Sequence, residues 1–177
     1  MDVTAAAGED VGAVTELWVA LAREQRDHDS HLLAGENREQ ARDLVAQYVH
    51  TGDCAVARTG GQPVGFVMFH VETGFFETDA TRGVVDNVYV LPEARGDGVG
   101  SALLDYAEAQ LREDGADTLA VEALWDNEAA RRLYERRGYA PHRVTLEKSV
   151  DGGNSDVDGE NGDAAGNDDA PGDTSSE

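Results

Sequence analysis

Three features of this 177-residue sequence predict an α/β fold with elements in the order β-α-α-β-β-β-α-β-α-β. Amphipathic helical patterns occupy residues 9–27 and 38–50. Two strand-like runs then bracket a glycine turn, and a strand, a glycine loop and a helix follow one another over residues 83–112. Apolar residues recurring every third or fourth position mark the helices, and short β-branched runs bounded by Gly, Pro and Asp mark the strands.

The opening Val3-Thr-Ala-Ala-Ala is a weak first strand. From Glu9 to about Asp27, Val11, Val14, Leu17, Trp18 and Leu21 fall on one helix face, and residues 28–37 break that pattern as a loop. The second helix, Arg38 to His50, is expected to bury Ala41, Leu44, Val45 and Tyr48. Gly52-Asp53 ends it. Cys54 to Arg58 and Pro63 to Val71 bracket Thr59-Gly-Gly-Gln62, which reads as a hairpin. Gly83 to Leu91 is the central strand, and Val99 to about Arg112 its following helix. Thr118 to Leu124 is a further strand, and a helix runs from Asp126 or Asn127 to Gly138. Val144-Thr-Leu-Glu-Lys148 is expected to close the sheet as an edge strand. One domain, residues 1–150, accounts for all of this. The last 27 residues, 151–177, hold nine acids, no base and no aromatic residue, and such a tail cannot bury enough apolar surface to stay ordered.

The central run carries the chemistry. Val88-Tyr89-Val90 stops before Pro92, the turn Arg95-Gly96-Asp97-Gly98-Val99-Gly100 follows, and Ser101 lies in the first turn of the next helix. Glycines admit close approach of a ligand to the backbone, and the first helical N–H groups lack intrahelical partners, so this arrangement is an anion cradle. It is not a Walker A loop, which ends Gly-Lys-Ser/Thr, because the only lysine is Lys148. Nor do glycines spaced by two fit the G-x-G-x-x-G dinucleotide fingerprint.

What remains is Arg95-x-x-Gly98-x-Gly100 after a Val-Tyr-Val-x-Pro strand, joined downstream by Asn127-x-x-Ala130-x-x-x-Tyr134-x-x-x-Gly138-Tyr139. Asn127 and Tyr134 lie two turns apart on one helix face. Both blocks resemble the GNAT superfamily of N-acetyltransferases, over about residues 3–148. The resemblance implies a mixed, mostly antiparallel central sheet flanked by helices. It also implies transfer of an acetyl group from acetyl-CoA to a primary amine, on a small molecule or a protein N-terminus, by direct attack. On that resemblance the N–H groups from Gly96 through Asp97, Gly98, Val99, Gly100 and Ser101 hold the pyrophosphate, with Arg95 adding charge. The edge of Val88, Tyr89 and Val90 pairs with the pantetheine arm, and Asn127 hydrogen-bonds it. Tyr134 protonates the departing thiolate, and Asp86 is the candidate base, with Glu122, Glu77 and a water relay as rivals. A non-catalytic acyl-CoA-binding module is the alternative on the same fold, and an enzyme acting on a nucleotide phosphate is a third reading.

Composition bounds the partners. Thirty-six acidic and 14 basic residues leave a net charge of -22, which repels nucleic acid and anionic membranes. Abundant acid with one lysine is the composition expected of a protein from a salt-accumulating halophile, where screening contracts to about 3 Å at 1 M salt, an acidic mesophilic protein being the rival reading. No run of 18 apolar residues and no basic leader is present, and the single Cys54 excludes an internal disulfide, so a cytoplasmic protein is expected. No metal is expected, because His28 and His31 lack companion ligands. Their loop, with Trp18 and Phe75-Phe76, is expected to line the amine pocket. Arg131, Arg132, Arg136 and Arg137 form a solvated face with a Glu128–Arg132 pair, a contact to the adenosine phosphate being the rival reading. A homodimer is left open.

Overall fold

Thr59-Gly60-Gly61-Gln62 makes the expected tight hairpin, with both glycines at positive φ and Thr59 opposite Gln62. The computed structural model, which describes residues 1–74 and 76–149, builds the remaining elements around that hairpin. Phe75 and the tail at 151–177 lie outside the described residues. The order is β1 (Asp2–Ala5), α1 (Val11–Gln25), α2 (Arg38–Thr51), β2 (Cys54–Thr59), β3 (Gln62–Val71), β4 (Arg82–Val90), α3 (Val99–Glu113), β5 (Thr118–Val121) and α4 (Glu128–Arg136). Short 3₁₀ turns flank α1 and follow β4. All of these lie in a unit spanning Met1–Pro141, and a second unit begins at His142.

The five strands form one sheet in sequence order, antiparallel from β1 to β4, with β5 parallel to β4. The parallel pair needs a crossover, and α3 supplies it. Each face of the sheet buries its own core. On one face Cys54, Val56, Phe66, Met68 and Tyr89 pack with Val14, Leu17 and Trp18 of α1 and with Ala41 and Val45 of α2. On the other, Ala55, Ala57, Val67, Phe69, Val85 and Val90 pack with Leu103, Leu104, Ala107 and Leu111 of α3 and with Tyr134 of α4.

The second face is packed so closely that Gly65 admits no side chain. A Cβ there would lie 2.6 Å from the Tyr89 carbonyl oxygen and 3.1 Å from Leu103 Cδ1. Gly65→Ala is expected to lower stability by about 1–3 kcal/mol, the usual cost of overpacking, read as a lower midpoint in thermal denaturation.

Three expectations fail. Leu44 is exposed, because Ala41 and Val45, four apart, form the buried seam of α2 and leave Leu44 at its flank. β5 ends at Val121, three residues short of Leu124. The closing strand at Val144–Lys148 is not formed. Val144 and Leu146 are exposed, the latter by 90%, so the alternation buries no apolar face that would offset the entropy of an ordered strand.

Candidate active site

Two irregularities of β4 create the site. First, β4 outruns its parallel partner: pairing with β5 stops at Val85 opposite Val121, while β4 continues to Val90. Second, the register against β3 slips by one. Met68 faces Asn87 and Phe69 faces Val85, so Asp86 is the extra residue of a β-bulge. The slip inverts the alternation. Val85 and Val88 share the α3 face although they are three apart, while Asp86 is turned to the α1–α2 face.

The free edge is polar. Leu91 N–H donates to Val64 O at 2.9 Å, so by antiparallel alternation the main chain of Tyr89 faces β3 while Val88 and Val90 present their N–H and C=O groups to the other side. Beyond β4, Gly96 and Gly98 sit at φ of 88° and 81°. No atom lies within 4 Å of a Cβ built on either, so backbone conformation and not space demands glycine. The N–H groups of Gly96 through Ser101 have no backbone acceptor among the described residues. The first such bond in α3 is from Ala102 N–H to Gly98 O, at 3.0 Å. A row of orphan donors at the positive end of a 15-residue helix therefore sits directly after the free edge.

Arg95 is used internally. Its Nε donates to Val90 O at 2.8 Å, its other end meets Glu24 Oε2 of α1 at 2.7 Å, and its guanidinium lies 5.4 Å from the centre of the Tyr89 ring. The Arg95 hydrogen bond holds the Glu24 carboxyl below its ordinary range. Burial, then the Glu24 charge, pushes the Tyr89 hydroxyl up. Arg95 and Tyr89 thus tie the end of β4 to α1.

The cleft beside the free edge opens to both faces of the sheet. Leu21 and Gln25 of α1 line it on one side, Ala130 and Tyr134 of α4 on the other, with Asp86, Asn87, Val88 and Glu122 between them. Asn127 caps α4, its Oδ1 accepting from Ala130 N–H at 3.0 Å, which leaves the side-chain NH₂ for the cleft it lines. Tyr134 is 9% exposed, and desolvation pushes its hydroxyl up to about 12. Its ring meets Tyr139 edge-on at 6.0 Å. α4 ends in a Schellman turn, Tyr139 N–H on Tyr134 O, and Arg137 ties that end to Asp105 and to buried Glu108 on α3.

Asp86 has two donors that sequence reasoning missed. Tyr48 of α2 donates its hydroxyl to Asp86 Oδ2 at 3.0 Å, and His70 Nδ1 of β3 lies 2.7 Å from the same oxygen. Burial and the Asp86 charge push the Tyr48 hydroxyl well above the ordinary phenol range. Tyr48 was read as core; His70, a polar residue on the same side of β3 as Phe66 and Met68, was the available signal.

The other candidates sit elsewhere. Trp18 is core of the α1–α2 face, Phe76 is 88% exposed, and Glu77 is on an exposed loop outside the cleft lining. Phe75 lies outside the described residues. Glu128 and Arg132 form the expected exposed pair, at 2.8 Å. No group of three metal-ligating side chains occurs among the described residues.

Comparison with known proteins gives consistent matches. The profile of the acetyltransferase (GNAT) family matches residues 13–139. An aminoalkylphosphonate N-acetyltransferase of Salmonella typhimurium is 26% identical over 142 residues, 80% of this chain and 86% of that protein. An N-alpha-acetyltransferase of Sulfurisphaera tokodaii is 30% identical over 103 residues, 55% of this chain and 62% of the relative. Among solved structures, a GCN5-related N-acetyltransferase from Ralstonia eutropha superposes with a TM-score of 0.69 at 24% identity, covering 85% of this chain and 99% of that one. A ribosomal-protein-alanine N-acetyltransferase from Brucella melitensis gives 0.59 at 23% identity, covering 84% and 98%. At those identities the structural likeness speaks for the fold.

Proposed function

The chain belongs to the acetyltransferase (GNAT) family and is an N-acetyltransferase, and from that premise we propose that it moves the acetyl group of acetyl-CoA to a primary amine in the cleft between β4 and β5. The observation that carries this reading is the continuity of two unpaired surfaces: the main-chain groups of Val88 with the Val90 N–H, and the donors from Gly96 to Ser101. A diphosphate needs clustered donors at a helix start, and an amide-bearing arm needs a free strand edge. Here one leads into the other.

The arm lies along Val88 and Val90, steadied by the Asn127 amide, and brings the thioester to the gap where the two sheet faces meet. The acceptor amine approaches from the α1–α2 face, on the Asp86 side. Its nitrogen attacks the carbonyl carbon, and a β4 N–H stabilises the developing oxyanion, an effect typically worth about 3 kcal/mol. The carbon–sulfur bond breaks and Tyr134, on the α4 side, protonates the thiolate. With its hydroxyl pushed up to about 12, Tyr134 stays a donor at any physiological pH. The proton is thus taken on one face of the sheet and given on the other.

Among the described residues no Lys or Arg lines the cleft, while Asp86 and Glu122 do. An acceptor bearing a phosphonate finds no cation there, which favours neutral or cationic amines and peptide N-termini. An acceptor screen with acetyl-CoA in molar potassium chloride, setting aminoalkylphosphonates against alanine-initiated peptides, tests this. Turnover confined to the phosphonates contradicts it.

Charge adds a further expectation. A chain of net charge -22 repels an anionic cosubstrate, and molar salt shortens that repulsion to about 3 Å. Apparent acetyl-CoA affinity, by titration calorimetry, is expected to rise from tenths molar to molar potassium chloride. A fall across that range refutes the self-repulsion account. No described helix is long and apolar enough to cross a membrane.

A further inference from the structure

Resting on that reading, we infer that His70 is the group that takes the proton from the acceptor amine, and that Asp86 is its positioning partner.

Next to Val85 on the α3 side, Asp86 points to the α1–α2 face, the face shared by His70 and its β4 partner Val84, and His70 and Tyr48 meet it there; the one-residue slip that follows returns Val88 to the α3 side. Both donors converge on Oδ2, and among the described residues Oδ1 accepts no hydrogen bond. An ionised carboxylate only accepts, so the 2.7 Å contact requires the proton of His70 to sit on Nδ1. In the neutral ring Nε2 then carries the lone pair, which is the tautomer a base needs. Among the described residues Nε2 has no hydrogen-bond partner, and the side chain is 38% exposed, so the ring is open to solvent beside Asp86. Asp86 alone belongs to both the cleft lining and this cluster.

The alternative, Asp86 acting directly, assigns no task to the ring. With His70 as acceptor, each contact has a role. Asp86 fixes the ring and stabilises the imidazolium, and Tyr48 holds Asp86 in place. The protons balance. The ammonium gives one proton to Nε2, directly or through one water, and the freed lone pair attacks the acetyl carbon. The second N–H proton of the adduct restores Tyr134 after it has protonated the sulfur. One proton is released overall, and it leaves from His70 to solvent. The titratable groups facing the ring are Asp86 on β4 and Tyr48 on α2, with Asp53 acting on the Tyr48 hydroxyl.

The test compares wild type, His70→Gln, Asp86→Asn and Tyr48→Phe with acetyl-CoA and an alanine-initiated peptide, each first shown to bind acetyl-CoA. His70→Gln is expected to lose about a hundredfold in kcat or more, and to lose the acid limb of its kcat/KM profile. Asp86→Asn should lose most of kcat together with the single Nδ1–H tautomer of the His70 ring, a spectroscopic change that a merely structural role would not produce. Tyr48→Phe should reduce kcat less than either. Nitrogen-15 NMR of the imidazole, which needs no acceptor, should show Nδ1 protonated and Nε2 bare. A His70→Gln enzyme with full kcat and an unmoved acid limb, beside an inactive Asp86→Asn, overturns the inference and leaves the acetyltransfer reading intact. So does the opposite tautomer. Wild type that fails to bind acetyl-CoA overturns both.

Discussion

Tyr134→Phe is expected to lower turnover by about a hundredfold or more while leaving acetyl-CoA binding unchanged. The substitution removes one oxygen from a ring that is otherwise core, packed with Val90, Leu103 and Leu104 and edge-on to Tyr139, so the helix and the cleft wall persist. What disappears is the proton for the leaving sulfur. The same residue fixes a pH expectation. Desolvation disfavours the phenolate and raises the hydroxyl to about 12, so no alkaline limb should arise from Tyr134 at or below its ordinary value of about 10. Stability follows the same sign: the protonated phenol is favoured by the fold, and its contribution is lost only as pH climbs from the unfolded value towards 12. Steady-state kinetics beside calorimetric titration decides the matter. A variant that keeps full kcat removes Tyr134 from the chemistry. A wild-type chain that binds acetyl-CoA but acetylates nothing in a broad amine screen favours the non-catalytic acyl-CoA-binding module instead.

Gly98→Val is expected to weaken acetyl-CoA binding by more than about tenfold, which is about 1.4 kcal/mol. Gly98 is the residue before α3, at φ 81°, and it aims the following N–H groups away from the helix. An L-residue there pays about 1–2 kcal/mol, and a β-branched one more, so the turn will relax and scatter the donors. Open space surrounds the position, which separates the two explanations of a loss. Gly98→Asn tolerates the left-handed conformation and should retain most of the affinity, whereas a steric block predicts that it fails as well. Equal affinity in the valine variant and wild type would remove the turn from binding.

Most of the architecture was legible because it is written locally. Helix periodicity, the Thr59–Gln62 hairpin, the Asn127 cap and the glycine turn each depend on residues a few positions apart. The closing strand misled for the same reason: Val144-Thr-Leu-Glu-Lys148 has a strand's alternation, but nothing local shows whether Val144 and Leu146 have a surface to bury against. The site was legible in its backbone and less so in its side chains. Asp86 stood out near the motif. Its surroundings depend on the register of β4 against β3, which no single stretch encodes, and that pairing, with the packing of α2 on the same face, brings His70 and Tyr48, 16 and 38 residues away, onto one oxygen. Arg95 was read as a phosphate contact from its motif alone. Its partner Glu24 lies 71 residues earlier, on a helix that sequence spacing could not bring to the turn.

A crystal structure with acetyl-CoA, grown in molar potassium chloride, tests the central claim most directly. The expected density has the diphosphate on the N–H groups of Gly96 to Ser101, the arm along Val88 and Val90, and the thioester between Asp86 and Tyr134. Acetyl-CoA bound elsewhere, with the turn after β4 free of phosphate, would contradict it.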